Sequence, residues 1–198
     1  MVLSSDKRLR DLLKRIFDLI LASILLWLLS IPMLTIAILI RLLSKGPVIF
    51  WTDRVGVNNS IFKMAKFRTM KLNTPQIATH LMKNPEDYLI PGGGFLRKYS
   101  LDELPQLFNV LKGDMSFVGP RPALFNQDDL VALRSEKGVQ YLIPGLTGWA
   151  QVNGRDDLAI PVKVEFDEYY LKHQTFVFDM RILLITVLQV IRKEGVVH

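Results

Sequence analysis

Two adjacent carboxylates that follow a basic segment are the residues best suited to chemistry. Asp102 and Glu103 come shortly after Arg97, Lys98 and Ser100. A helix start with nearby arginines can bind phosphate, and a carboxylate placed there can attack phosphorus. Adjacent helical side chains point about 100° apart, so one carboxylate would attack while the other holds a divalent metal or moves protons. A hard cation with carboxylate and phosphate ligands would be Mg²⁺.

The same residues also fit a purely structural interpretation. Ser100 and Glu103 have the spacing of a capping box, in which serine caps the helix start and glutamate bonds back to it. Acidic residues such as Asp102 are common in a first helical turn because they face the positive end of the helix dipole. Pro105 favours a start nearer Leu104, since proline prefers the first helical position. Spacing alone leaves both interpretations open.

Two arginines in tight turns are candidates for phosphate contacts. Arg121 lies between Pro120 and Pro122, whose rings restrict the backbone and suit a fixed guanidinium that forks a phosphate. Arg155 follows Asn153-Gly154 and is interpreted in the same way. A surface turn is the alternative for both arginines.

Composition excludes several other kinds of site. The 198 residues include no cysteine and three histidines, which excludes thiol nucleophiles and iron–sulfur clusters and argues against a multi-histidine metal site. The net charge is +6, and the stretch 45–98 alone carries nine basic and three acidic residues. This charge predicts an anionic partner. No recognised nucleic-acid motif accompanies it, so anionic lipid or a phosphorylated substrate is favoured and nucleic acid is not expected.

An uncharged segment near the start of the chain predicts contact with lipid. Leu19–Ile40 has no charge over 22 residues, about 33 Å as a helix, against a bilayer core of about 30 Å. Basic residues flank it on both sides, and a single span can place only one flank on the cytoplasmic side. Pro32 breaks the helix, and Ser30 can bond a carbonyl freed by that break. A re-entrant helix is therefore favoured over a span.

Shorter elements follow the membrane segment. Residues 47–51 and 61–67 predict two strands joined by turn residues at 55–59. The last apolar stretch, Met180–Ile191, has basic ends and suits either the membrane surface or a protein core. Helices are predicted at 104–111, 128–137, 162–172 and 180–191.

Five motifs occur in a fixed order along the chain. They are KRIFD (Lys14–Asp18), PVIF (Pro47–Phe50), KFRTM (Lys66–Met70), SLDELPQLFNVLKGDMSFVGPRP (Ser100–Pro122) and PGLTGWAQVNGR (Pro144–Arg155). Together they closely resemble the bacterial sugar transferase family, the small monotopic polyprenyl-phosphate phosphoglycosyl transferases. Many members of that family have serine directly before the membrane proline. This chain has Ile31 there, with Ser30 one position earlier.

The resemblance implies a fold and a location. The fold would be α+β and mainly helical, a monotopic membrane protein with an N-terminal re-entrant helix-break-helix, a small β-hairpin and interfacial amphipathic helices. Its parts would be a basic lead (1–15), a membrane helix broken at Pro32 (16–43) and a catalytic domain (44–198). The protein would lie in one leaflet of the bacterial inner membrane, with its active site on the cytoplasmic face. Homo-oligomerisation is left open.

The resemblance also implies a reaction. A sugar-1-phosphate would pass from a UDP-sugar to undecaprenyl phosphate with release of UMP, as the first membrane step of glycoconjugate or exopolysaccharide synthesis. Asp102 would form a covalent phosphosugar intermediate, and Glu103 would bind Mg²⁺. Two alternatives stay open: a non-catalytic basic protein that binds anionic lipid, and direct transfer without a covalent intermediate. The implied phosphate and substrate contacts are Lys66, Arg68, Arg97, Arg121 and Arg155.

Overall fold

The fold is mainly helical, with two small sheets. The computed structural model describes residues 5–74, 84–154 and 158–192. Short 3₁₀ turns connect several elements, and the turn Leu101–Glu103 lies between α3 and α4. The helices are α1 (Ser5–Leu28), α2 (Ser30–Leu43), α3 (Gly93–Lys98), α4 (Gln106–Lys112), α5 (Asp128–Glu136), α6 (Trp149–Val152), α7 (Ile160–His173) and α8 (Phe176–Arg192). The strands are β1 (Ile49–Val55), β2 (Ile61–Phe67), β3 (Ser116–Val118) and β4 (Gly145–Thr147).

The first two helices form a bent pair. They meet at Leu29 with a bend of 61° between them. The break predicted at Pro32 thus lies three residues earlier, because the proline ring displaces the carbonyl four positions before it while fitting the first turn of α2. Ser30 donates its hydroxyl to the Trp27 carbonyl at 2.8 Å, as predicted. Within the described ranges no single helix has the length and apolarity to cross a bilayer, and this bent pair meets the criteria only jointly.

The predicted hairpin is confirmed. β1 and β2 pair antiparallel, with Asp53 opposite Lys63 and Phe50 opposite Lys66. The strands form because two runs that contain several β-branched and aromatic residues flank a turn in which Asn58 and Asn59 have positive φ. The hairpin therefore fixes Lys66 opposite Phe50, one residue before the end of β2.

A second, parallel pair was not predicted from sequence. β3 and β4 are three residues each, with Ser116 opposite Gly145. Glycine is needed at this crossing, since a Cβ on Gly145 would lie 2.1 Å from the backbone nitrogen of Gly119. The close approach fixes the chain just before Arg121.

The main core lies between α1, α4, β3, α7 and α8. Its fully buried side chains include Val110, Met115, Tyr170 and Ile182, and burying an apolar side chain of this size contributes about 1.5–3 kcal/mol. α8 places Ile182 in this core and leaves Val177 exposed, together with Leu184 and Val187. The prediction that this helix belongs to a protein core is thus confirmed for one of its faces only.

The polar residues of α1 bind the rest of the domain. Lys14 pairs with the buried carboxylate of Asp179 at 2.5 Å, and Asp18 accepts the backbone N–H of Phe117 at 3.1 Å. Arg15 donates to the last carbonyls of α4 at 2.6 and 2.7 Å, which satisfies groups left open at that helix end. α1 therefore runs unbroken across the predicted boundary between residues 15 and 16.

Candidate active site

Asp102 and Glu103 lie in the 3₁₀ turn Leu101–Glu103. Ser100 before them is left-handed (φ 54°), and its side chain makes no capping hydrogen bond to the part of the chain that the structure describes. The predicted capping box therefore does not form, because the left-handed turn rotates Ser100 away and the Glu103 side chain has other partners. The two carboxylates are not ordinary helix caps.

Glu103 is held by two cations from distant parts of the chain. Lys66 Nζ lies 2.7 Å and Arg121 Nη2 lies 3.3 Å from the same oxygen, Oε1. Burial alone would raise the pKa of Glu103, yet the charges and hydrogen bonds of Lys66 and Arg121 hold that pKa well below its usual range. Glu103 is therefore ionised at neutral pH.

Asp102 has a different environment. Only 8% of the residue is exposed, and among the described residues no side chain forms a hydrogen bond or ion pair with its carboxylate. Burial raises the pKa of Asp102 most and the charge of Glu103 raises it as well, while Lys66 and Arg97 lower it, so that the pKa lies at about 6. The pair thus combines one firmly ionised carboxylate with one that titrates near neutrality and bonds to no side chain of the described residues.

Lys66 owes its position to a residue that the sequence analysis missed. The buried amide of Asn109 on α4 accepts the N–H of Ala65 at 3.1 Å and donates to the carbonyl of Lys63 at 2.8 Å. It therefore bonds to β2 as a neighbouring strand would, which ties α4 to the strand that carries Lys66. The only sequence signal is an amide in an otherwise apolar run of α4.

The other predicted arginines take separate places. Arg97, in the last turn of α3, lies near enough to Asp102 to lower its pKa, and its Nη1 contacts Met70 Sδ at 3.3 Å. Arg68 is buried and donates to the carbonyls of Ser44 and Lys45 at 3.0 and 2.6 Å, where the chain leaves α2. Arg68 thus stabilises that exit and is not brought to the carboxylate pair. Arg155 lies outside the described residues.

The pair can accommodate a magnesium ion on chemical grounds. In the described ranges, no group of three or more His, Asp or Glu side chains forms a protein-only metal site. Mg²⁺ is commonly bound through one or two carboxylates together with waters and substrate phosphates, so such a group is not required. Both hydrogen bonds to Glu103 go to Oε1, and Oε2 accepts none from the described residues. The donor set therefore fits Mg²⁺ shared with a diphosphate.

Comparison with known sequences finds similar proteins over almost the whole chain. The family model described as bacterial sugar transferase matches residues 9–193. An uncharacterized sugar transferase of Bacillus subtilis, EpsL, is 41% identical over 188 residues, which cover 93% of this chain and 90% of that protein. The exopolysaccharide production protein ExoY of Rhizobium meliloti is 36% identical, with 92% of this chain and 87% of that protein covered.

Longer relatives contain the same region. The UDP-glucose:undecaprenyl-phosphate glucose-1-phosphate transferase of Escherichia coli is 40% identical over 184 residues. The match covers 89% of this chain and 39% of that protein. This chain thus spans almost all of some relatives and about two-fifths of another.

Proposed function

The chain belongs to the bacterial sugar transferase family, and from this premise we propose that it transfers a sugar-1-phosphate from a UDP-sugar to undecaprenyl phosphate. UMP is the second product. The observation that carries the proposal is the buried carboxylate of Asp102, which bonds to no described side chain and lies beside Glu103, held as an anion by Lys66 and Arg121. The reaction named for the Escherichia coli relative supports this substrate class. The name of ExoY supports a place in exopolysaccharide synthesis.

In this proposal the transfer has two displacement steps. A carboxylate oxygen of Asp102 attacks the phosphorus that bears the sugar, the bond to UMP breaks, and the sugar-phosphate stays on Asp102 as an acyl phosphate. A phosphate oxygen of the lipid then attacks the same phosphorus and frees the Asp102 carboxylate. Arg97 and Lys66 place positive charge beside Asp102, which favours approach of both anionic substrates.

Charge neutralisation is the main requirement of phosphoryl transfer. Lys66 and Arg121 orient Glu103 through Oε1, so that Oε2 is available to a cation. Mg²⁺ bound there would neutralise the diphosphate as negative charge develops on the departing UMP. Asp102 and Glu103 thus have separate roles, as nucleophile and as metal ligand.

The test of the proposed function is a substrate screen with the purified chain. Radiolabelled UDP-sugars are supplied in turn with undecaprenyl phosphate and Mg²⁺, and UMP and labelled lipid are measured. We expect at least one UDP-sugar to give UMP and labelled lipid in equal amounts. A protein that only binds anionic lipid would release no UMP with any sugar, and that outcome would contradict the proposal.

The proposal includes a re-entrant membrane segment formed by α1 and α2. Its support is the 61° bend at Leu29 together with the continuous apolar exposure of both helices, for example at Trp27 (77% exposed) and Ile31 (76%). Such surfaces are stable in lipid and unfavourable in water. The protein would lie in one leaflet of the bacterial inner membrane, with Asp102 on the cytoplasmic side.

Single cysteines test this topology, since the chain has none of its own. We expect Arg8→Cys and Lys45→Cys to react with an impermeant thiol reagent from the same side of oriented membranes. Lys137→Cys, at an exposed position just after α5, is the control that marks the side of the catalytic residues. Labelling of Arg8→Cys and Lys45→Cys from opposite sides would establish a span instead.

A further inference from the structure

The backbone around Arg121 is bonded at every carbonyl. From Pro120 to Ala123, each of the four consecutive carbonyl oxygens accepts a hydrogen bond from another part of the fold. The donors are Gly145 N–H to Pro120 (2.9 Å), Arg134 Nη1 to Arg121 (2.9 Å), Arg54 Nη1 to Pro122 (3.2 Å) and Val55 N–H to Ala123 (3.0 Å). We call residues 120–123 the clamped segment.

The sequence of the clamped segment explains why side chains supply two of the donors. Pro120 and Pro122 have no N–H, so this stretch cannot form a regular strand ladder with either neighbour. Guanidinium groups reach the two central carbonyls, where no backbone donor is placed. Buried carbonyls would otherwise be left unsatisfied, which is unfavourable.

Arg134 is built specifically into this contact. Its Nε and Nη2 donate to Asp167 Oδ2 at 2.9 and 2.6 Å, and its third nitrogen, Nη1, binds the Arg121 carbonyl. Arg134 is 8% exposed and Asp167 is 1% exposed. A buried ion pair is weak as a source of net stability because both charges must leave water. The two hydrogen bonds to Asp167 nevertheless hold the planar guanidinium in one orientation, and this directs Nη1 of Arg134 at the Arg121 carbonyl.

We propose that Arg134, oriented by Asp167, is a positioning residue that places the Arg121 guanidinium against Glu103. It acts through the Arg121 backbone and does not touch the substrate. The proposal rests on the proposed function for its effect on turnover, because Arg121 Nη2 is one of the two cations on Glu103. The claim that Arg134 holds the Arg121 backbone in place depends only on the hydrogen bonds and not on the proposed function.

The test is a double-mutant cycle between Arg134→Lys and Arg121→Lys. Lysine keeps the charge beside Asp167 but lacks the planar fork, so it cannot bond to the carboxylate and the carbonyl together. We expect kcat for UMP release to fall about 10- to 100-fold in Arg134→Lys, with KM for the UDP-sugar changed less. When Arg121→Lys is already present, Arg134→Lys should lower kcat by less than about threefold more. If the fold-loss in kcat of the double variant equalled the product of the two single losses, Arg134 would act independently of Arg121 and the proposal would be overturned.

Lys137→Gln is the matched control. It breaks the ion pair between Lys137 and Glu168 (3.2 Å), which, like Arg134 and Asp167, links α7 to the α5 region. Within the described ranges, neither Lys137 nor Glu168 donates a side-chain hydrogen bond to the clamped segment. Its kcat should equal that of the wild type. If Arg134→Lys does not fold, the paired change Arg134→Gln with Asp167→Asn removes both buried charges together and enters the same cycle.

Amide hydrogen exchange gives a readout that does not depend on activity. The Val55 and Gly145 amides, which donate to the clamped segment, should exchange about tenfold faster in Arg134→Lys than in wild type or Lys137→Gln. Unchanged exchange would overturn the clamp whatever the activity. Faster exchange in a chain whose wild type releases no UMP from any UDP-sugar would support the clamp and contradict the proposed function, so the two failures are distinct.

Discussion

Asp102→Asn is expected to abolish UMP release, by about 10³-fold or more, in a protein that remains folded. An asparagine amide cannot form the acyl phosphate on which the proposed transfer depends. The fold should not suffer, because no described side chain bonds to the Asp102 carboxylate. Burial raises the pKa of Asp102 to about 6, so its ionised form is disfavoured in the folded state, and the neutral amide should leave the unfolding temperature unchanged or higher. UMP release and thermal unfolding of one preparation measure both effects.

Asp128→Asn is the matched control for this experiment. Asp128 is an exposed acidic residue in the first turn of α5, and its removal should cost at most about 1 kcal/mol of helix-dipole stabilisation without loss of turnover. If Asp102 only faced a helix start, the two variants would behave alike. Turnover in Asp102→Asn within tenfold of wild type would contradict its role as nucleophile.

The covalent step has a separate signature in the wild-type protein. Given a UDP-sugar and no lipid, it should release about one equivalent of UMP and then stop, because the sugar-phosphate remains on Asp102. Mass spectrometry should place the added mass on the peptide that contains Asp102, and Asp128→Asn should show the same adduct. UMP release that strictly requires the lipid, without any adduct, would favour direct transfer.

Elements specified by neighbouring residues were predictable from the sequence. The hairpin of β1 and β2 follows from two apolar runs around a turn, and the break between α1 and α2 follows from Pro32. The position of the break was wrong by three residues, because a proline disturbs the preceding turn more than its own. Local sequence thus predicts that the chain bends and gives the site of the bend only approximately.

Contacts between distant residues were not predictable in this way. Arg15 belongs to the basic residues that precede the apolar segment, yet its guanidinium donates to the last carbonyls of α4. Arg68 shares a motif with Lys66, yet its guanidinium donates to carbonyls near the exit of α2. The sequence around a charged residue does not show whether its side chain contacts solvent, substrate or a backbone carbonyl. The partners of Arg15 and Arg68 therefore could not be predicted from sequence.

The carboxylate pair was predicted from residue type and Arg121 from its turn between two prolines, whereas Lys66 was predicted only from family resemblance. Lys66 precedes Glu103 by 37 positions and Arg121 follows it by 18, separations that no periodicity connects. Arg134 and Asp167 were missed altogether, because each lies among other charged residues on its helix and has the pattern of a solvated position. Only the fold brings them together beneath the clamped segment.

Glu103→Gln should produce the second large loss, about 10²- to 10³-fold in kcat/KM, because Lys66 and Arg121 lose their shared counterion and the proposed Mg²⁺ would lose a charged ligand. Glutamine preserves the shape of the side chain, so the loss should not reflect misfolding. Glu136→Gln, at an exposed residue at the end of α5, is the control and should retain full activity.

The same variant should also shift the pH dependence, since Asp102 must be ionised to attack. Wild-type kcat/KM should fall as the pH drops through about 6, where Asp102 takes up a proton. Glu103 raises the pKa of Asp102 and Lys66 lowers it, so the acidic limb should move to lower pH in Glu103→Gln and to higher pH in Lys66→Met. All three profiles are measured at one saturating Mg²⁺ concentration. If the acidic limb of the kcat/KM profile lay at the same pH in all three proteins, a group other than Asp102 would control the attack.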